Sequence, residues 1–456
     1  MSRPKTAISN SRRDPRAVRP CSCSGVYQMV ARRKKDIQGL NVVFVGIDWA
    51  DSLHAFHLLT QDNRECHGLF QQEATEIEST INGWRKKFPC STLLVAIEQS
   101  RGPLINALLK YEDVIIYPVN PASLASYRKA FAHGGGKNDP ADARLLAQYL
   151  QHYHQQLKPL RQDQPLTREL ASLAEDRRQL VDQRAALGNE LRAILKLYFP
   201  AVLQMRPAQM HADFVLRLLL QFPTLENAQK ATRKKLKECL RGGTELKVQQ
   251  RIETIVAATP LSEEDVLLRA SSRRVTSLCR RMTVLNEIIS EYDTDIARLV
   301  RQHENYEIIA SLPGASDVTQ CRIIAALGDD RSRFEDASAL QATTGIAPLT
   351  TQSGRMTMVT ARWACTKFLK QTFHEFAGLS IRKSEWAKAY YHLQRSRGKS
   401  AQMAIRALAF KWQRIIYRCW QNKETYSENQ YIKRLKETRS PLYELIENNR
   451  KTLQAP

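Results

Sequence analysis

The first strong pattern in the chain is a short apolar run, Val42-Val43-Phe44-Val45-Gly46-Ile47, closed by Asp48. A β-branched run of that length with no polar break predicts a strand buried on both faces. Residues 53–60 read as a second strand, close enough to pair with the first as a hairpin. Residues 73–88 have helical spacing. A third buried strand covers residues 92–98 and ends on Glu98. A helix over 102–111, a strand over 114–119 and another helix follow. Then come a glycine loop at Gly134-Gly135-Gly136 and a helix from Asp139 to about His152. Strands interleaved with helices predict an α/β domain.

The pattern changes near Pro165. Residues 166–199 and 262–303 carry apolar positions at helical spacing among dense charges, with proline- and glycine-marked breaks between them. Two such stretches predict an antiparallel helical arm or coiled coil; one helical bundle fits equally well. Leu312-Pro313-Gly314-Ala315 lies between two helical patterns, where a helix-hairpin-helix turn would offer backbone N–H groups to a phosphate. Pro-Gly is also an ordinary turn. Residues 345–353 read as a loop. The remainder is helical and basic, with Arg362, Lys367, Lys370, Arg397 and Lys399 among aromatics such as Trp363, Phe368, Trp386 and Trp412. Basic residues with aromatics suit phosphate contact and base stacking. For the individual aromatics, a place in a small helical core is the stronger expectation. The expected class is α/β plus all-α, in five parts: a basic disordered extension (1–40), an α/β domain (41–160), a helical coiled-coil arm (161–305), a helical C-terminal domain (306–425) and a helical tail (426–456).

Charge narrows the partner. Lys plus Arg number 69 against 46 Asp plus Glu, a net charge of +23. Such an excess favours a polyanion. Nucleic acid is expected and a membrane is not, because no apolar run reaches about 18 residues. The nine cysteines are scattered without a Cys-x-x-Cys pair, so neither structural zinc nor a disulfide scaffold is expected, and the thiols read as reduced packing residues of a cytosolic protein. Residues 1–40 are strongly basic and read either as a phosphate-touching arm or as a leader to a true start at Met29.

Two carboxylates, Asp48 and Glu98, sit at the ends of predicted buried strands, where a charge must be paired, hydrogen-bonded or on a metal. Asp139 and Asp142 are three residues apart at a helix start and share a face. Singly, each has an ordinary reading: Asp139-Pro140 with Asp142 makes a good helix N-terminus, Asp48 a turn, Glu98 an ion-pair partner. Together, four acids converging on one point would call for divalent cations. Two Mg²⁺ about 4 Å apart are the usual means of cutting phosphodiesters.

The strings Gly46-Ile47-Asp48-Trp49-Ala50, Ala96-Ile97-Glu98 and Lys137-Asn138-Asp139-Pro140-Ala141-Asp142-Ala143-Arg144 resemble the acidic motifs of the DEDD-type insertion-sequence transposases, the family of RNA-guided bridge recombinases. Gly345-Ile346-Ala347-Pro348-Leu349-Thr350-Thr351-Gln352-Ser353-Gly354-Arg355 resembles the same family's second signature. The likeness spans roughly residues 42–420 and is weakest in the middle helices. It departs at the N-terminal extension and at Thr360-Ala361-Arg362-Trp363-Ala364, where many members carry a Gly-Asn or similar pair before an arginine. The resemblance implies a RuvC-like domain of RNase H fold at 41–160 and a serine transposase domain at 306–425. It implies Mg²⁺, in a two-metal site, on Asp48, Glu98, Asp139 and Asp142, and Ser353 as a nucleophile that holds the cut strand. Activation of that hydroxyl would come from a composite site built by different subunits. Lys137, Arg144, Gly314, Arg355, Arg362, Lys367, Arg397 and Lys399 become candidate nucleic-acid contacts. The implied partners are DNA (element ends and target), a structured noncoding guide RNA and further copies of the chain as a dimer or tetramer. The implied location is the bacterial cytoplasm, at the nucleoid. Two other readings stay open: a RuvC-like junction-resolving nuclease with no use for Ser353, and a non-catalytic nucleic-acid-binding relic.

Overall fold

The computed structural model describes residues 41–131, 139–205, 207–354 and 356–454. The basic extension at 1–40, the triple-glycine loop, Lys137 and Arg355 lie outside them. The chain divides into two compact units, Met1–Gln162 and Asp163–Pro456.

The first unit is a five-stranded sheet of order β3-β2-β1-β4-β5. Strands β1 (Val42–Asp48), β2 (Leu53–Thr60) and β3 (Glu65–Gln71) form an antiparallel meander. After helix α1 (Ala74–Lys87), strand β4 (Thr92–Ile97) returns parallel to β1. After α2 (Pro103–Leu108), β5 (Val114–Pro118) runs parallel to β4. Helices α3 (Pro121–Phe131) and α4 (Asp139–Tyr153) complete the unit. This mixed five-stranded order is consistent with an RNase H-like domain.

The unbroken apolar runs of β1 and β4 follow from burial on both faces. Val43, Val45, Ile47, Leu93, Val95 and Ile97 pack with Ile77, Ile81 and Trp84 of α1 and Leu104, Ile105 and Leu108 of α2. The alternate residues Val42, Phe44, Leu94 and Ala96 pack with Leu124 of α3 and Leu146, Ala147 and Leu150 of α4. In α1 the buried positions recur every three or four residues, and each such side chain contributes about 1.5–3 kcal/mol on burial. Strand β3 is not among the elements expected from the sequence. Only Phe70 of its seven residues is buried, and an edge strand with one inward apolar residue lacks the alternation that marks a strand.

The second unit is built on two long helices, α5 (Pro165–Tyr198) and, after five short helices, α11 (Asp265–Val300). Arg177 pairs with Asp293, the Arg184 guanidinium donates to Asn286 at 2.8 Å, and Arg274 reaches Glu190 at 2.6 Å. Residue numbers rise on one helix as they fall on the other, so the two run antiparallel. At one end they share a core with the short helices α6 (Ala201–Gln204), α7 (Asp213–Gln221), α8 (Leu225–Gln229), α9 (Arg233–Leu240) and α10 (Glu245–Val256). At the other end Leu170, Ala174, Ile296 and Leu299 join the core of the C-terminal helices.

Those helices are α12 (Tyr306–Ala310), α13 (Asp317–Leu327), α14 (Ala337–Thr343), α15 (Lys367–Ser380), α16 (Glu385–Ser396), α17 (Ala401–Asn422), α18 (Glu428–Glu437) and α19 (Pro441–Gln454). Trp386, Trp412 and Trp420 are fully buried among them. The Trp386 indole N–H donates to the Tyr426 hydroxyl at 2.7 Å, and that of Trp412 donates to the Ser380 hydroxyl at 2.8 Å. Cys279 and Cys321 are packing residues; burial pushes both thiols up to about 12.

The start of α5 is fastened by a buried cluster. Asp329 accepts hydrogen bonds from the Gln164 backbone N–H at 2.5 Å and the Thr167 hydroxyl at 2.7 Å. His303 Nδ1 accepts the Asn305 N–H at 3.1 Å, so in the neutral ring Nε2 carries the proton and faces the Thr167 hydroxyl oxygen at 2.8 Å.

One expectation needs correction. Residues 349–353 are not a loop: Leu349–Ser353 (β6) and Met356–Thr360 (β7) form an antiparallel hairpin in which Ser353 pairs with Met356. All of β6 and all of β7 but Thr360 are exposed. With no covered face there is no inward apolar series for a sequence pattern to reveal. The backbone ladder holds the strands, and Gly354 takes a positive φ of 58° in the turn.

Candidate active site

Strand pairing sets the first two acids side by side. Ile47 lies opposite Ile97 in the parallel β1–β4 pair, so Asp48 and Glu98 are the next residues on adjacent strands, where chains run about 4.8 Å apart. Asp48 is half-buried; Glu98 is exposed, in the bend that follows β4. Both continue the alternate series Phe44–Gly46 and Leu94–Ala96, the face covered by α4.

The other two acids start that helix. Phe44 lies against His154, just beyond the helix, with ring centroids 5.3 Å apart. Two residues further along β1, a Cβ on Gly46 would stand 2.0 Å from the Ala143 carbonyl oxygen and 2.5 Å from the Ala147 nitrogen. Helix and strand therefore cross in opposite directions, and no side chain fits between them at Gly46. The first turn of α4, with Asp139 and Asp142, lies beyond that crossing, toward the strand end that carries Asp48. Asp139 is exposed as the helix's first residue; Asp142 is buried at 5% exposure. Arg128 of α3 donates to the Asp142 carboxylate at 2.5 Å. That pairing offsets the cost of burying the charge.

The turn after Asp48 is braced. The Ala50 N–H donates to His54 Nδ1 at 3.2 Å, so the opposite nitrogen carries the proton and donates to Gln72 Oε1 at 2.6 Å. Burial lowers the His54 pKa and keeps the ring neutral, although the Gln72 bond opposes the shift. Neither Arg128 nor His54 was singled out from the sequence. Arg128 lies in an ordinary helical pattern, and its role appears only once α3 and α4 are packed together.

Among the described residues, no group of three or more His, Cys, Asp or Glu side chains is gathered closely enough to hold a metal ion. The four acids share one end and one face of the first unit. Arg144, on the next turn of α4, pairs with Glu65 of β3 at 3.1 Å.

In the second unit, Ser353 is the exposed last residue of β6. Gly314 lies between α12 and α13 with φ of 84°, and a Cβ there would come within 3.2 Å of the Leu379 carbonyl. Backbone conformation and close packing both account for that glycine. Arg362 is half-buried, its carbonyl accepts the Lys370 ammonium at 2.9 Å, and its Nε is buried without a hydrogen-bond partner. Lys367 is exposed at the start of α15, and Arg397 is exposed at the end of α16. Lys399 donates to the Gln394 side-chain oxygen at 2.6 Å.

Residues 45–200 match a family model described as a transposase of the DEDD type of IS110, and residues 306–392 match the transposase model of the IS116/IS110/IS902 family. The chain belongs to the IS110-type DEDD transposase family. The first match contains all four acids; the second contains Gly314, Ser353, Arg362 and Lys367. The mini-circle putative transposase for IS117 of Streptomyces coelicolor is 27% identical over 405 residues, 85% of this chain and 95% of that protein. The uncharacterised 43.6 kDa protein of insertion element IS110, from the same organism, is 24% identical over 376 residues, 80% of this chain and 91% of its own. The uncharacterised 42 kDa protein of insertion element IS900 of Mycobacterium paratuberculosis is 27% identical over 306 residues, 64% of this chain and 73% of its own. The transposase thus acts on DNA, and among the described residues it has no helix long and apolar enough to cross a membrane.

Proposed function

We propose that this transposase excises and inserts its element through two chemical parts: an acidic part at the end of the first unit's sheet and a serine part on the β6–β7 hairpin. The observation that carries this reading is the pairing of Ile47 with Ile97 beneath α4. It gives Asp48 and Glu98 one face in common with the helix that begins at Asp139.

The donor set fits a hard divalent cation, since it consists of carboxylates without thiol or imidazole. Asp48, Glu98, Asp139 and Asp142 would hold Mg²⁺, two ions in the full site, which when bound would stabilise charge on the attacking and leaving oxygens of a phosphodiester. The chain's own groups do the rest. Arg128 pairs with the Asp142 carboxylate and holds it in place. His54 and Gln72 fix the turn that follows Asp48. Ser353 presents its hydroxyl from an uncovered hairpin, where a DNA backbone has access. In the proposed step the Ser353 Oγ–P bond forms as the bond from phosphorus to a deoxyribose oxygen breaks. The serine proton leaves to solvent or a nearby base, and the freed oxygen takes up a proton. The product is a phosphoserine ester that stores the strand for rejoining. The charge of +23 is compatible with holding a long RNA as well as DNA; a structured noncoding RNA from the same element, and a second copy of the chain completing the site, belong to this reading.

A covalent-trapping assay tests it. Protein, element-end DNA, the flanking noncoding RNA and Mg²⁺ are mixed and run on a denaturing gel. A protein–DNA adduct is expected, lost in Ser353→Ala and separately in Asp48→Ala. Metal-dependent cutting without an adduct, unchanged by Ser353→Ala, would overturn the serine step and favour the junction-resolving nuclease.

A further inference from the structure

Trp363 stands apart from the other tryptophans. It is 88% exposed, while Trp84, Trp386, Trp412 and Trp420 are buried and Trp49 is half-buried. An indole left in water forgoes one of the largest burial gains a side chain can make. Its loop is nonetheless well held. The Arg362 carbonyl, just before it, accepts the Lys370 ammonium at 2.9 Å. The Trp363 carbonyl accepts the Cys365 N–H at 2.9 Å. Cys365 sits so closely on Gly345 that a Cβ there would lie 2.3 Å from the thiol sulfur. The backbone is fastened on both sides of the indole, and the ring is left outside.

The surroundings identify what would cover it. From Pro348 to His374 the chain contains no Asp or Glu and four basic residues, Arg355, Arg362, Lys367 and Lys370. The β6–β7 hairpin, whose last residue Thr360 lies three positions before Trp363, is uncovered as well. An exposed flat ring in a purely cationic segment selects a partner that is anionic and offers flat apolar faces. A nucleobase on a phosphate backbone meets both conditions. Bases inside a duplex have both faces occupied, so the base must be unpaired or turned out of its stack. Thr360 pairs with Leu349 and Met356 with Ser353. The serine therefore lies four residues along the hairpin from the tryptophan's end, roughly 13 Å at the usual strand rise.

We propose that Trp363 is a stacking platform for an unpaired base, holding a strand a few nucleotides from the phosphate offered to Ser353. This rests on the nucleic-acid reading above and adds a positioning residue to it.

The full-length protein is titrated with a mixed-sequence single-stranded oligonucleotide and with its duplex, without Mg²⁺. Fluorescence anisotropy reports binding and tryptophan emission reports stacking. The wild type should lose its long-wavelength emission on single-strand binding. Trp363→Ala should abolish that quench and weaken single-strand binding about tenfold, the effect of losing one stacked base, with duplex binding little changed. Trp363→Phe should restore most of the affinity. Unchanged single-strand affinity in Trp363→Ala would overturn the proposal while leaving nucleic-acid binding standing. A shift from dimer to monomer in Trp363→Ala by sedimentation, with affinity kept, would also overturn it and assign the indole to a second copy. Failure of the wild type to bind either oligonucleotide would overturn both this proposal and the reading beneath it.

Discussion

Asp48 closes a strand whose six preceding residues are all buried, whereas Ser353 closes one in which every residue is exposed. The acidic end of the first unit is positioned from all sides: a strand partner, a covering helix, an arginine on Asp142 and a histidine under the following turn. The serine hairpin is positioned by its own ladder and by the attachment of its ends. On the proposed reading the acids share a metal, and such carboxylates must be placed before the ligand arrives, because misplacing charged groups by an ångström forfeits most of the benefit. Ser353, as the nucleophile of that reading, would meet a long polyanion from outside and need access more than enclosure. The contrast implies that substitutions in the first region act on folding and chemistry together, while those in the second act on chemistry and binding with little cost to stability.

The strongest way to break the comparison is at the crossing of β1 and α4. Gly46→Val would drive a side chain into the Ala143 carbonyl. It should cost at least about 3 kcal/mol, at or beyond the range for an overpacked core site, read as a fall in Tm or a failure to fold. Gly354, with nothing within 4 Å of its missing Cβ, should tolerate alanine at about 1 kcal/mol, the cost of its positive φ. Equal effects at the two glycines would mean that the regions are not built differently.

A smaller effect is expected at Arg128. Replacing it with methionine leaves the buried Asp142 carboxylate without its cation. About 2 kcal/mol should be lost, below the usual cost for a fully buried pair because Arg128 is 27% exposed. If Asp142 is a metal ligand, Mg²⁺ should raise the Tm of Arg128→Met more than that of the wild type, since the ion supplies the missing charge. A Tm that ignores Mg²⁺ in both proteins would separate Asp142 from the metal site.

Acid should reach the scaffold and spare the hairpin. Burial lowers the pKa of His54, His57, His211, His303 and His374 below the ordinary 6.5. The unfolded chain then binds more protons than the folded one as pH falls through 6.5, so stability rises with pH in that window. It is fully present above 6.5 and is lost toward the lowered folded values. Tm should fall by a few degrees, at about 2–4 °C per kcal/mol, between pH 7.5 and 5.5, and His303→Gln should flatten the slope. Residues 349–360 contain no histidine, so their ladder contributes nothing to it. A Tm that rises on acidification would contradict the neutral, buried state of these rings.

The same contrast explains which features could be read from the sequence. The buried strands and the two long helices were visible because two-sided burial leaves unbroken apolar runs, and Asp48 and Glu98 stand out because they end those runs, whereas Asp139 and Asp142 read as an ordinary helix start until the family resemblance joined them to the other two. Strand β3 and the β6–β7 hairpin were not visible, for they are held by backbone bonds and bury almost nothing. Arg128 needed the packing of α3 on α4 before its partner could be named. Among the C-terminal aromatics, the core expectation suits Trp386 and Trp412, each fully buried, and fails at Trp363. Composition cannot distinguish an indole fastened outside a fold from one enclosed in it.

The smallest expected effect is the most informative about the hairpin. Met356, Met358 and Val359 are 70%, 58% and 63% exposed, so replacing all three with threonine removes little area that folding had taken from water. Threonine also favours strands, and the ladder needs no apolar side chain there. The triple variant should stay within about 0.5 kcal/mol of the wild type, as surface changes usually do, with an unchanged Tm. A single Val95→Ala in the sheet, at a side chain with no exposure, should cost about 2 kcal/mol. The apolar side chains of the hairpin would then have their use outside the folded monomer, against the strand or copy that covers them during transposition, and the triple variant should lose adduct formation while keeping its Tm. If it unfolds early instead, the hairpin is a structural element of the second unit, and Ser353 is held by packing after all.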